Sequence, residues 1–182
     1  MREGGGPEDV AGSDRVDNLH LRRIDTHSQL GRGTEGTGVN QSFISNLPGP
    51  ADVAVDSTYV YWANFYPSGA IGRANLDGTN VNQSFISAPF PIAVAVDSVH
   101  IYWANFGSTG WIGRANLDGT GVNQSFITGA NNSAGVAVDA SHVYWSNQGA
   151  GTIGRANVDG TGVCQNFISG ATNPEGVEVG SG

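Results

Sequence analysis

The chain has one cysteine, one methionine, and only 8 Lys+Arg against 16 Asp+Glu in 182 residues. A single thiol closes no internal disulfide, so burial and hydrogen bonding must hold the fold. The formal charge of −8 repels phosphate backbones and argues against a nucleic-acid partner. No apolar run approaches the roughly 20 residues that a membrane-spanning helix needs, so no membrane partner is expected. The opening MREGGGPEDVAGSDR carries charge where a secretory signal has its apolar core. Helix formers are scarce throughout.

What is abundant is the vocabulary of short strands and tight turns. There are 28 glycines, and Val, Ile, Thr, Tyr, Phe and Trp alternate with Gly, Asn, Asp and Ser. The chain also repeats itself. IGRANLDGTNVNQSFI begins at Ile71, IGRANLDGTGVNQSFI at Ile112, IGRANVDGTGVCQNFI at Ile153, and a worn LGRGTEGTGVNQSFI at Leu30. Trp62, Trp103 and Trp145 stand 41 and 42 residues apart, and Arg73, Arg114 and Arg155 stand 41 apart. An internal period of this size decides the fold before anything else does.

Each unit accommodates four strands. In the second full unit they are Ala93–Asp97, apolar on both faces, then His100–Phe106, Trp111–Leu117 and Val122–Thr128, with the hairpin signal Asp118-Gly119 between the last two. Four short antiparallel strands about every 41 residues, without helical periodicity, predict an all-β fold, a β-propeller of about four blades. One blade cannot bury both its faces, whereas copies stacked on one another can, so the repeated phrase is read as blade architecture. The expected blades are 17–48 (eroded, with a decayed start reaching back to residue 8), 51–89, 93–130 and 135–171, followed by a stub strand at 175–180. Residues 1–16 read as an irregular tail.

The strings VYWANF, IYWANF and VYWSNQ, each followed by an IGRAN segment, resemble the YWTD repeat of low-density-lipoprotein-receptor class B propellers. They are also similar to bacterial streptogramin (virginiamycin B) lyase-like and NHL-type propeller repeats. The resemblance spans residues 51–180 well and 17–50 weakly. It implies structural roles for Trp62, Trp103 and Trp145 between blades, and for the motif amides Asn64, Asn105 and Asn147, which replace an aspartate and keep a cross-blade hydrogen bond without its charge. Arg73, Arg114 and Arg155 are expected to pair with aspartates of a neighbouring blade. The resemblance also implies a six-bladed ring, against about four units here. Three outcomes follow: a small closed ring in which the stub pairs with the first blade, a homo-oligomer in which two chains complete one ring, or a part of a longer protein.

Chemistry is hard to find. Nothing matches a nucleophile elbow, a paired-cysteine metal site or a phosphate loop. His100 and His142 occupy the repeat position of Tyr59 and read as strand-edge aromatics, and His20 and His27 share no spacing with a carboxylate pair. Cys164 stands where Asn82 and Asn123 stand and reads as a neutral replacement. Asn40, Asn82, Asn123 and Asn131 open Asn-x-Ser triplets, three of which recur because the repeat recurs, and they read as coincidence. Asp56, Asp97 and Asp139, with Asp77, Asp118 and Asp159, are expected to cap turns; the alternative is a ring of oxygens holding a cation in the channel. No catalytic or metal residue and no cofactor is assigned. The copies differ in the loops of one face, where Phe65, Tyr66, Phe90, Phe106 and Trp111 gather. The expectation is a non-catalytic scaffold or binding module whose loop face meets a protein or small ligand. Two alternatives stand beside it: a streptogramin-lyase-like enzyme using histidine, acid and Mg²⁺, and a purely structural self-assembling repeat.

Overall fold

The computed structural model describes residues 40–65 and 69–180. The expected tail, most of the eroded first unit, His20, His27 and Tyr66 lie outside those residues. The chain separates into two units, residues 1–39 and 40–182, and the second is the one described.

Twelve strands form three sheets. The first contains β1 (Pro50–Val55), β2 (Tyr59–Asn64), β3 (Ala70–Asn75) and β4 (Asn82–Ser87). The second contains β5 (Pro91–Val96), β6 (His100–Asn105), β7 (Trp111–Asn116) and β8 (Asn123–Thr128). The third contains β9 (Ser133–Val138), β10 (His142–Asn147), β11 (Thr152–Asn157) and β12 (Cys164–Ser169). Each sheet is an antiparallel meander in chain order, and the described residues include no helix. The expected all-β blade is therefore present three times in full. Its first strand shifts register near its start in every copy, between Pro50 and Asp52, Pro91 and Ala93, and beyond Trp145 opposite Ser133.

The Tyr-Trp and Ile-Gly-Arg signatures meet across the second and third strands. Trp62 pairs with Gly72, Trp103 with Gly113 and Trp145 with Gly154. Each indole lies so close over its glycine that a methyl group there would overlap the ring. Glycine is thus required at this position by close approach, not by backbone conformation. The motif amide crosses the third strand: Asn64 Nδ2 donates to Gln83 O at 2.9 Å, and Asn147 Nδ2 to Gln165 O at 2.8 Å. For Asn64 and Asn147 the bond expected between blades therefore lies within one blade, because the amide points toward its own fourth strand. Asn147 Oδ1 also accepts the N–H of Asn131 in the incoming linker.

Blades join through one repeated interlock. Phe85 packs on Gly119 of the next blade's outer turn and Phe126 on Gly160, while Phe43 packs on Gly78 in the same way. Each arginine stacks on the phenylalanine of its own blade, with Arg73 Cζ 3.8 Å from the Phe85 ring and Arg114 4.0 Å from Phe126. It then reaches forward: Arg73 Nη1 donates to Leu117 O at 3.0 Å, and Arg114 to Val158 O at 2.8 Å. The expected arginine–aspartate pairing is thus replaced by cation–π stacking and a carbonyl acceptor. The outer-turn aspartate is turned inward onto its own threonine, as Thr120 N and Oγ1 both donate to Asp118 Oδ1. That bonding holds the Asp118 carboxyl below the usual carboxylate range, with the Arg73 charge a minor cause.

The interlock stops at the third blade. Ile168 is 52% exposed where Ile86 and Ile127 are 3% and 1%. Phe167 carries Arg155 on its ring at 4.0 Å, and no outer turn seats on it among the described residues. Residues 175–180, expected as a stub strand, form no strand. They follow the first-strand path beside β9, where a methyl on Gly135 would come within 2.9 Å of Gly176 Cα.

The inner turns carry a titratable pair in each blade. Asp97 Oδ1 accepts the N–H groups of Val99 and His100, and Tyr102 Oη donates to Asp97 Oδ2 at 3.0 Å. Burial and this bond push the Tyr102 phenol, and likewise that of Tyr61 beside Asp56, far above the ordinary tyrosine range. A raised folded-state value means that the contribution is whole below the unfolded value of about 10 and is lost at higher pH. We predict that stability falls above about pH 10, and that Tyr102→Phe flattens the fall. Chemical melts between pH 8 and pH 12 with an unchanged slope in the variant would refute this.

Candidate functional site

The loops at one end of the blades build a rim from a single repeated bond. The residue after the second strand donates its N–H to the residue just before the first strand. Phe65 N donates to Gly49 O at 2.9 Å, Phe106 N to Phe90 O at 3.0 Å, and Gln148 N to Asn132 O at 3.2 Å. The pairs are linked in turn, since Asn132 N donates to Gly107 O at 3.0 Å. The rim therefore runs as a continuous strip from Phe65 through Phe90 and Phe106 to Asn132 and Gln148.

The acceptor residue of each pair holds a left-handed backbone. Its φ is 59° at Gly49, 48° at Phe90 and 47° at Asn132, and Asn173 follows at 50°. Glycine and asparagine tolerate this conformation, whereas for a bulky side chain it is strained. Phe90 is the exception in the series. The residue is 51% exposed, so burial does not compensate the strain fully. It stacks on Phe65 at 5.9 Å between ring centroids, and Phe106, 39% exposed, meets Phe65 at 6.2 Å. Three of the five residues expected on this face thus form one cluster. Tyr66 lies outside the described residues. Trp111 is half-buried and anchored: with the Asn105 amide oriented toward Pro89 O, its oxygen accepts Trp111 Nε1–H. Trp111 is thus tied through its indole N–H to Asn105, the residue before Phe106.

The rim carries no formal charge. Residues 46–50, 88–91, 106–110, 129–133, 148–152 and 170–174 include no Asp, Glu, Lys, Arg or His. Six acids lie at the opposite end of the strands, where Asp56, Asp97, Asp139, Asp77, Asp118 and Asp159 are engaged in their own turns, while Asp52 and Glu175 line the cavity between the first strands. None of the six lines the cavity that opens between the first strands. His100 and His142 share that end, with Nδ1 3.9 and 3.7 Å from Asp97 and Asp139. His100 lies edge-on to Tyr102, in the manner of Tyr59 and Tyr61, and the His142 ring is tilted against Tyr144.

One feature was missed at the level of sequence. A cavity of about 290 Å³ opens between the first strands, lined by Asp52, Ile92, Ala93, Gly135, Glu175 and Gly176 among others. Asp52 is a half-buried carboxylate where the later units have Ala93 and Gly135. Its Oδ2 accepts the Val94 N–H of the next blade at 2.9 Å, and its Oδ1 accepts the Val53 N–H at 2.8 Å. Burial raises its carboxyl above the usual range despite these bonds. The departure from the repeat at position 52 was the available signal. Both oxygens serve the backbone, so Asp52 acts as a tie between two inner strands.

No family model matches the chain, and no curated protein matches it. Solved structures do. A chain of the nidogen/laminin complex is 25% identical with a TM-score of 0.60, over 71% of this chain and 52% of that one. Hydrazine synthase of Kuenenia stuttgartiensis aligns at 16% identity and TM-score 0.61, over 80% of this chain and 42% of that one. The computationally designed Ika4 protein aligns at 12% identity and TM-score 0.57, over 79% of this chain and 89% of that one. The chain thus spans about half the length of the first two. Three four-stranded antiparallel sheets in repeat, with these neighbours, make it a β-propeller protein by fold.

Proposed function

We propose that the protein is a non-catalytic β-propeller binding module that recognises a protein or small ligand through the rim of Phe65, Phe90 and Phe106. The fold alone does not choose between binding and catalysis, since its neighbours include a chain of a two-protein complex and an enzyme. The Tyr-Trp and Ile-Gly-Arg-Ala-Asn signatures favour the YWTD-like repeat within that fold. The observation that carries the reading is Phe90. A strained, half-exposed aromatic sits where the rest of the series has Gly49, Asn132 and Asn173. Strain kept without compensating burial is the mark of a residue retained for contact rather than folding.

Phe90→Gly separates the two. Glycine accepts the left-handed backbone, which relieves about 1 kcal/mol or more. The lost ring contacts with Phe65 are worth a similar amount. We predict a stability within about 1 kcal/mol of the parent. Urea melts showing a loss above about 2 kcal/mol would make Phe90 a packing residue and remove the main support for the rim.

A further inference from the structure

We infer that residues 173–180 are a strap that closes the circle of first strands at four positions and carries a fourth corner of the rim. The segment belongs to none of the three sheets, yet it repeats the start of a blade. Its entry residue Asn173 holds a φ of 50°, as Gly49, Phe90 and Asn132 hold 59°, 48° and 47° at the three earlier entries. Those four stand 41, 42 and 41 residues apart. Beyond the entry, Val177 and Val179 are half-buried while Glu178 and Gly180 are exposed. That is the alternation of a strand with one face turned to a core.

The cavity between the first strands fixes where the strap sits. One register position supplies Asp52, Ala93 and Gly135 to its lining from the three first strands, and Gly176 from the strap. A compact void of about 290 Å³ is about 8 Å wide, the space that four sheets packed about 10 Å apart leave between their innermost strands. Six positions at that spacing would set the first and fourth about 20 Å apart, too far for Asp52 and Gly176 to line one cavity of this volume. The strap therefore stands between β9 and β1, and the circle holds four positions.

This seat explains a departure from the repeat. A methyl on Gly135 would lie 2.9 Å from Gly176 Cα, 3.0 Å from Val177 N and 3.1 Å from Glu175 O. The second blade has Ala93 at the same place, so the sheet itself accepts a side chain there. Glycine stands at 135 because the backbone of the strap takes up the space. On the strap side, a methyl on Gly176 meets nothing within 4 Å. Neither glycine has a left-handed backbone.

Two variants that each add one methyl at this contact test the strap. The reporter is Ala93→Cys in a Cys164→Ser background, a cavity position only 3% exposed. Its rate of reaction with N-ethylmaleimide reads whether the circle is closed. A second reporter, Ala115→Cys, sits 0% exposed between the first two blades and reads opening of the array. The expected result is slow labelling at 93 in the parent, a rate at least tenfold higher in Gly135→Ala, and no change in Gly176→Ala, with the thiol at 115 protected throughout. Protection at 93 is also expected to be independent of protein concentration. An unchanged rate in Gly135→Ala, or equal rises in the two glycine variants, overturns the inference. Labelling at 115 that rises together with 93 makes Gly135 a residue of its own sheet rather than of the seat, and overturns it as well. A thiol at 93 that becomes reactive as a dimer dissociates on dilution would mean that a second chain, not the strap, closes the circle.

Discussion

Replacing Trp103 with alanine is expected to cost about 3–5 kcal/mol, the range for removing a fully buried large aromatic from a core. Its side chain is 0% exposed. It belongs to a cluster with Tyr61, Ile71 and Ile86 of the first blade and with Val94, Ile101 and Ala115 of its own. The truncation therefore damages two interfaces at once, the one inside the second blade and the one between blades. In a stack of repeats, stability is carried by such nearest-neighbour surfaces, so a weakened junction lowers the stability of the units on both sides. The collapse available to the site is small, because the facing residue is Gly113, which has no side chain to fill the space. Chemical denaturation is the measurement. A change below about 1 kcal/mol would show that the tryptophan does not hold the blades together and would count against the interlocked array.

Much of this was legible in the sequence because the repeat supplied its own control. Trp62, Trp103 and Trp145 could be placed on one strand position because three copies agreed, and Asp118-Gly119 marked the outer turn because glycine admits the φ of 85° found there. What the sequence did not disclose was direction. Arg73, Arg114 and Arg155 were legible as blade-joining residues, but carbonyls and aspartates on a neighbouring turn are equally plausible acceptors for a guanidinium. The choice was made by Thr79, Thr120 and Thr161, whose hydroxyls and amides take up the nearby carboxylates. Asn64 and Asn147 were legible as buried amides, yet whether an amide reaches across a blade or between blades depends on a side-chain rotation that no spacing encodes. The loop aromatics were visible as departures from the repeat. Which of them share a surface was not, because the answer depends on the bond from Phe106 N to Phe90 O and on the anchoring of Trp111 by Asn105.

The same tryptophan allows a second large effect whose sign depends on context. Gly113→Ala places a methyl group into the indole of Trp103, with Cε2, Nε1 and Cζ2 the nearest atoms. The ring is fully buried in a cluster with Tyr61, Val94 and Ala115, so any shift must displace packed neighbours. We predict a loss of about 1–3 kcal/mol or more, the usual result of forcing an extra methyl into a filled core. In the Trp103→Ala background the obstruction is gone. The backbone of Gly113 is not left-handed, so alanine there is unstrained and restricts the unfolded chain, which is worth about 0.4–1 kcal/mol of stabilisation. The same substitution should therefore destabilise the parent and stabilise the variant. The coupling energy of the double-mutant cycle, measured by denaturant melts on all four proteins, should exceed about 1.5 kcal/mol and favour the double mutant. Equal costs in the two backgrounds would mean that the methyl meets something other than the indole, and the pairing of Trp with Gly across the second and third strands would no longer explain why the Ile-Gly-Arg phrase recurs.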